Sequence, residues 1–225
     1  MPTLLALDTA TEACSVALLH DGQVTSHYEV IPRLHAKRLL PMVQALLSEA
    51  GVTTAALDGI AFGRGPGAFT GVRIAVGVVQ GLAFALERPV LPISNLAALA
   101  QRAWREQGAE QVAAAIDARM DEVYWGCFVR DGDEMRLHGT EAVLPPESAA
   151  LPPDAAGDWF GAGTGWGYAE RIPVAVRGTD ASLLPHALDI LELGRHAWAR
   201  GEAVPADEAQ PIYLRDNVAT PKRSV

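Results

Sequence analysis

The run Gly63-Arg64-Gly65-Pro66-Gly67-Ala68-Phe69-Thr70, continuing through Gly71 to Leu86, constrains the fold more than any other stretch. Three glycines and a proline lie within five residues, a loop that reaches backbone conformations closed to other residues. Thr70 is placed to cap a helix over 70–86. Only Arg73 and Gln80 interrupt the apolar surface of this helix, and their spacing puts them on one face. A helix apolar nearly all round must be covered on several sides. Gly77, Gly81 and Ala85 recur every four residues as a smooth stripe that another backbone could approach closely. The stretch is too short and too glycine-rich to read as a membrane span. One side is expected on the chain's own sheet, the other as a contact surface.

The remaining sequence sets the frame. At 225 residues the chain suits one large domain or two small ones. A formal net charge of −9 argues against nucleic-acid or membrane binding through a dominant basic surface, though not against local basic patches. Met1-Pro2-Thr3 leads straight into a strand-like run without a basic and then apolar leader, so a cytoplasmic location is expected. Cys14 and Cys127 fall in apparent strands and read as reduced core residues.

Leu4 to Thr9 reads as a buried strand ending in an acidic turn, Ala13 to Leu19 as a second strand and Val24 to Val30 as a third. Asp21-Gly22 is a hairpin turn signal. The first long helix is expected over 33–50, with Leu39, Leu40, Val43, Leu46, Leu47 and Ala50 as its apolar stripe. Pro41 predicts a kink or a late start. The opposite face is assigned His35, Arg38, Met42, Ala45 and Glu49. Leu57 to Phe62 and Val90 to Ile93 are short strands, and Ser94 or Asn95 caps a helix to about Gln107.

This order of three strands, helix, strand, helix, strand matches one half of the actin-like ATPase fold. Val112 to Ile116 and Glu122 to Arg130, around Asp117-Ala118-Arg119, begin a second half. Asp131-Gly132 closes another hairpin, and the Pro/Ala-rich stretch from Leu144 to Asp158 reads as a surface loop. Ala187 to Ala199 is a final amphipathic helix. The division expected is 1–107 for one lobe and 108–225 for the other, with a polar tail from Pro205 that loses order beyond Arg215. The fold class is α/β, two lobes each with a mixed sheet flanked by helices.

Chemistry-bearing motifs are sparse. Asp8 stands where actin-like ATPases keep a magnesium-linked carboxylate, but the turn Ala10-Thr11-Glu12-Ala13 carries no glycine and adds a negative charge where phosphate should lie. A structural role for Asp8 outweighs a catalytic one. Gly63 to Gly67 lacks the Gly-Lys-Ser/Thr of a phosphate-binding loop and reads as a tight strand-to-helix connection; Gly161 to Gly165 is a weaker signal still. None of His20, His27, His35, His138, His186 and His196 stands four residues from another, so no helical histidine pair for a metal exists; Leu39 occupies the place after His35. Ser15 and Cys14 lack a positioned base. Arg33, Lys37 and Arg38 are a basic cluster, read as a solvated face or a partner contact.

LALDTATEACSVAL, GRGPGAFTGVRIAVGVVQGLA, DARMDEVYWG and PIYLRD together resemble the TsaB (YeaZ) family over essentially the full chain. The resemblance implies a non-catalytic, actin-like (ASKHA) paralogue of TsaD in the making of tRNA threonylcarbamoyladenosine, in tRNAs reading codons that start with A. It implies a heterodimer with TsaD, a ternary complex with the ATPase TsaE, a pathway fed by TsaC, and contact with tRNA only through the complex. No cofactor, metal or membrane is implied. Carried onto this sequence, the interface comprises His35, Arg38, Met42 and Ala45 on the first helix, and Arg73, Val76, Gly77, Gln80 and Phe84 on the second. Without TsaD the same patch is expected to pair two copies of the chain. The rival readings are a glycoprotease-like metallopeptidase and a weak ATP-binding enzyme.

Overall fold

Side chains alternate along β1 (Leu4–Asp8), and the alternation separates two cores. Leu5 and Leu7 enter one, Leu4 and Ala6 the other, and all four are fully buried. The computed structural model describes residues 1–154 and 156–215. The expected loss of order beyond Arg215 concerns residues outside that range. β1 pairs antiparallel with β2 (Ala13–His20), and β2 with β3 (Gln23–Val30). Asp21 and Gly22 join the latter pair with φ of 48° and 76°, as a two-residue hairpin of this hand requires. On its other side β1 runs parallel to β4 (Gly59–Gly63), and β4 to β5 (Val90–Ile93). The sheet order is β3-β2-β1-β4-β5.

Helices α1 (His35–Glu49) and α2 (Phe69–Leu86) cover the Leu5/Leu7 face of this sheet and touch each other. The chain then forms α3 (Asn95–Gln107), capped by Ser94, whose Oγ accepts from the amides of Leu96 and Ala97. The last helix, α4 (Ala187–Ala199), returns to cover the Leu4/Ala6 face. The first sheet is therefore completed from the far end of the chain.

A second sheet is built from β6 (Gln111–Arg119), β7 (Glu122–Asp131), β8 (Glu134–Leu137), β9 (Ala142–Leu144), β10 (Phe160–Ala162) and β11 (Gly178–Asp180). Its order is β11-β10-β6-β7-β8, with β9 pairing the start of β7. Helix α3 covers one face through Leu99 and Ala103 against Val112, Ile116 and Phe128. The other face is covered by Trp159, Trp166 and Ile172, which pack over Trp125 and Cys127; Trp166 Nε1 donates to Ala113 O at 2.8 Å. Cys14 and Cys127 are buried and unpaired.

Local expectations shift in four places. Ala68, not Thr70, takes the N-cap position of α2, and Thr70 lies exposed in its first turn. Helix α1 starts at His35 and continues past Pro41. The second hairpin turns at Gly132 and Asp133, because Asp131 still pairs with Glu134. Among the described residues, the stretch from Leu144 to Asp158 contains one 3₁₀ turn, Pro146–Ser148.

Candidate docking face and the cleft beside it

Helix α2 turns Val72, Ala75, Val76, Val79 and Ala83 onto the sheet. Positions 73, 77, 81 and 84 then point away from it, following the 3.6-residue period. Gly77 and Gly81 are exposed, and a Cβ on either would meet nothing within 4 Å. Phe84 is 83% exposed beside them. By length and composition α2 is apolar enough to cross a membrane, with a mean hydropathy of 1.7, yet its inner stripe is the core of the first sheet. On α1, Arg38 and Ala45 are exposed, and Leu40 is 43% exposed among them. Arg38 forms a bidentate pair with Glu29 of β3.

Three of the expected interface residues lie elsewhere. His35 and Met42 are 7% and 2% exposed, and Val76 is 5% exposed. His35, Leu39, Met42 and Leu46 follow the spacing i, i+4, i+7, i+11, so they form one inward stripe, and His35 Nε2 meets Ala13 O at 3.2 Å. Leu40 and His35 thereby exchange the sides assigned to them. Gln80 is half-buried, and its Nε2 donates to Ala209 O at 2.7 Å. Arg38, Ala45, Arg73, Gly77 and Phe84 remain on the outer surface.

The glycine loop is a connector. Arg64 N donates to Ile93 O at 2.9 Å, Gly65 N to Asn95 Oδ1 at 2.8 Å, and Ala68 N to Ala10 O at 2.7 Å. These three amides are thus engaged by the protein itself. Gly71 lets the first turn of α2 press on the turn that follows β1: a Cβ there would lie 2.1 Å from Thr9 O. Asp8 is fully buried behind the loop, with Oδ1 accepting from Asn95 Nδ2 at 2.6 Å and Oδ2 without a partner among the described residues. Burial outweighs its hydrogen bonds and raises the Asp8 carboxyl to about 7.

Between the sheets, beside the N-terminus of α2, opens a cleft of about 860 Å³. It is lined by the turn at Ala10–Glu12, by Phe69 and Arg73, by Asp117–Arg119 and Thr164, and by Tyr213 and Arg215. The Arg73 guanidinium carbon lies 3.2 Å from the Phe69 ring centroid and 4.9 Å from that of Tyr213. Phe69, Tyr213 and Arg215 carry no sequence pattern that marks them as cleft residues. Arg73 and Asp117 were visible as isolated polar positions without a neighbourhood.

Comparison with known proteins gives one answer. A family model described as TsaD, tRNA N6-adenosine threonylcarbamoyltransferase, matches residues 23–222. The tRNA threonylcarbamoyladenosine biosynthesis protein TsaB of Escherichia coli is 46% identical over 97% of each chain. Its namesake in Haemophilus influenzae is 46% identical over 98% of this chain and 96% of that one. A solved structure described as YeaZ from Pseudomonas aeruginosa is 74% identical and superposes with a TM-score of 0.93, covering 95% of this chain and 100% of its own. The two mixed sheets with their helices fit an actin-like ATPase-type fold. The sequence identity over nearly the full chain and the matching architecture place this chain in the TsaB (YeaZ) family of tRNA threonylcarbamoyladenosine biosynthesis proteins.

Proposed function

We propose that this chain is a non-catalytic scaffold in tRNA threonylcarbamoylation. It docks on TsaD through the outer faces of α1 and α2, and TsaE joins the pair. TsaC supplies the pathway upstream, tRNA is met through the complex, and the setting is the cytoplasm. In the absence of TsaD the same face pairs two copies of the chain. The lobes are taken as residues 1–107 and 108–225, with α3 and α4 packing across the division.

The open stripe at Gly77 and Gly81, flanked by the exposed Phe84, carries this reading. Small residues beside a bare aromatic ring suit a helix of a partner, since its backbone can approach and bury that ring. Two further observations support it over an enzyme. His35 Nε2 meets a backbone carbonyl, and Leu39 fills the position one turn on. The amides of Arg64, Gly65 and Ala68 in the glycine loop are occupied, and the Asp8 carboxyl is fully buried.

Sedimentation velocity of the chain alone and with TsaD tests the reading. A self-associating chain that yields to a tight mixed complex is the expected result, with Gly77→Trp abolishing both while leaving the monomer folded. A wild-type chain that ignores TsaD, or a Gly77→Trp chain that binds it unchanged, overturns the docking face.

A further inference from the structure

After α4 the chain crosses to the edge of β5, where Val204 and Val90 exchange backbone hydrogen bonds of 2.8 and 2.9 Å. From Ala209 to Arg215 it then runs along α2 to the cleft, pinned at Ala209, Ile212, Tyr213 and Arg215. Gln80 Nε2 holds Ala209 O at 2.7 Å, and Ile212 N donates to Arg64 O at 2.8 Å. Gly65, at a φ of 102°, comes so near that a Cβ would lie 2.8 Å from Ile212 O. Tyr213 rests on Arg73. The Arg215 Nη2 finally donates to Ala118 O at 3.2 Å, to Arg119 O at 3.3 Å and to the Glu122 carboxylate.

The turn that receives Arg215 is strained. Arg119, Met120 and Asp121 have φ of 62°, 58° and 59°, three side-chain-bearing residues in succession in the left-handed region. Such a backbone persists only where its surroundings hold it. Arg215 supplies that hold from one side. Arg119 supplies it from the other, facing Asp117 at 2.9 Å and Glu12, across the cleft, at 3.6 Å.

We propose that Ala209–Arg215 is a releasable strap that couples the α2 face to the β6–β7 turn. Arg73 and Gln80 anchor one end, and the strained turn is the other. Arg73 is held by aromatic rings, so a partner surface presenting a carboxylate there competes directly with Tyr213. Once Tyr213 and Ala209 are displaced, Arg215 loses its guide, the turn relaxes out of the left-handed region and the cleft widens. The identity of the partner rests on the docking reading above; the mechanical coupling does not.

Amide hydrogen exchange on the full chain tests the coupling. Gln80→Ala loosens the far end of the strap without touching the turn, and Arg215→Gln removes the near end. Both are expected to raise exchange at residues 117–123 at least tenfold while leaving β1 protected. An unmoved turn in Gln80→Ala overturns the strap, whether or not Arg215→Gln disturbs folding. With saturating TsaD, the wild type is expected to show faster exchange at 117–123; slower exchange there overturns the direction of coupling. Failure of the wild type to bind TsaD counts against the docking face alone, and the Gln80→Ala exchange still decides the strap.

Discussion

Asp8 at the end of β1 and Asn95 at the start of α3 meet at 2.6 Å, 87 residues apart in sequence, where the two sheets join. The contact satisfies one carboxylate oxygen and leaves the other without a partner among the described residues, in a fully buried site. Folding therefore favours the protonated acid, which loses less on leaving water.

Asp8 and His186 make opposing contributions to stability versus pH. Asp8 is raised from 3.8 to about 7, so between those values the folded state holds a proton that the unfolded state has released. Its contribution falls by about 1.4 kcal/mol per pH unit as pH rises through that window. His186 is lowered from 6.5 to about 4, first by burial and then by Arg102 and Arg105. Between about 4 and 6.5 the unfolded state holds its proton instead, so this contribution rises with pH at the same slope. The two are expected to cancel in the wild type from about pH 4.5 to 6. Asp8→Asn should unmask stability that rises with pH. His186→Asn, which keeps a side-chain cap for Leu188 N, should unmask stability that falls. Urea denaturation across this range checks both; parallel curves for the three proteins would refute the assignment.

Gly71 and Gly77, on the same helix, should respond to alanine in opposite directions. At Gly71 the new Cβ would meet Thr9 O at 2.1 Å, and backbone must move, with an expected loss of about 1–3 kcal/mol. At Gly77 the Cβ meets open space and relieves the chain-entropy cost of a helical glycine, a gain of about 0.5–1 kcal/mol. Thermal unfolding of the two variants measures the difference.

Asp189 of α4 is buried, and both its oxygens accept from Arg105 of α3 at 2.9 Å. Removing the arginine strands a carboxylate in the interior, so Arg105→Ala is expected to cost about 3 kcal/mol. Adding Asp189→Leu should recover much of the loss, because the desolvated charge is gone. Chemical denaturation of the single and double variants decides it.

Phe84→Ala should leave unfolding unchanged within about 0.5 kcal/mol, since the ring is 83% exposed. On the proposed docking face it should weaken association with TsaD about thirtyfold, equivalent to roughly 2 kcal/mol. Titration calorimetry against TsaD gives the affinity.

Much of this architecture was legible in local patterns. The Asp21-Gly22 turn sets the meander, and α4 runs from Ala187 to Ala199 as its periodicity predicts, because turn chemistry and helical spacing depend on residues close in sequence. The smooth stripe at Gly77 and Gly81 was visible for the same reason. Strands β9, β10 and β11 were not: each has only three residues and is stable through its pairing with strands distant in sequence.

The sequence by itself determined the long helices and the longer strands, and that α2 is apolar on more than one side. Only the tertiary structure decided which side of a helix faces inward. His35 and Met42 face inward because the groove beside β2 accepts the stripe they share with Leu39 and Leu46, while Leu40 is left outside. Residues Ala209–Arg215 carry no periodic signal, and their course is set by Gln80, Arg64, Arg73 and the β6–β7 turn. Periodicity records that a helix has two faces. Choosing between them requires the free energy of packing against neighbours that arrive from elsewhere in the chain.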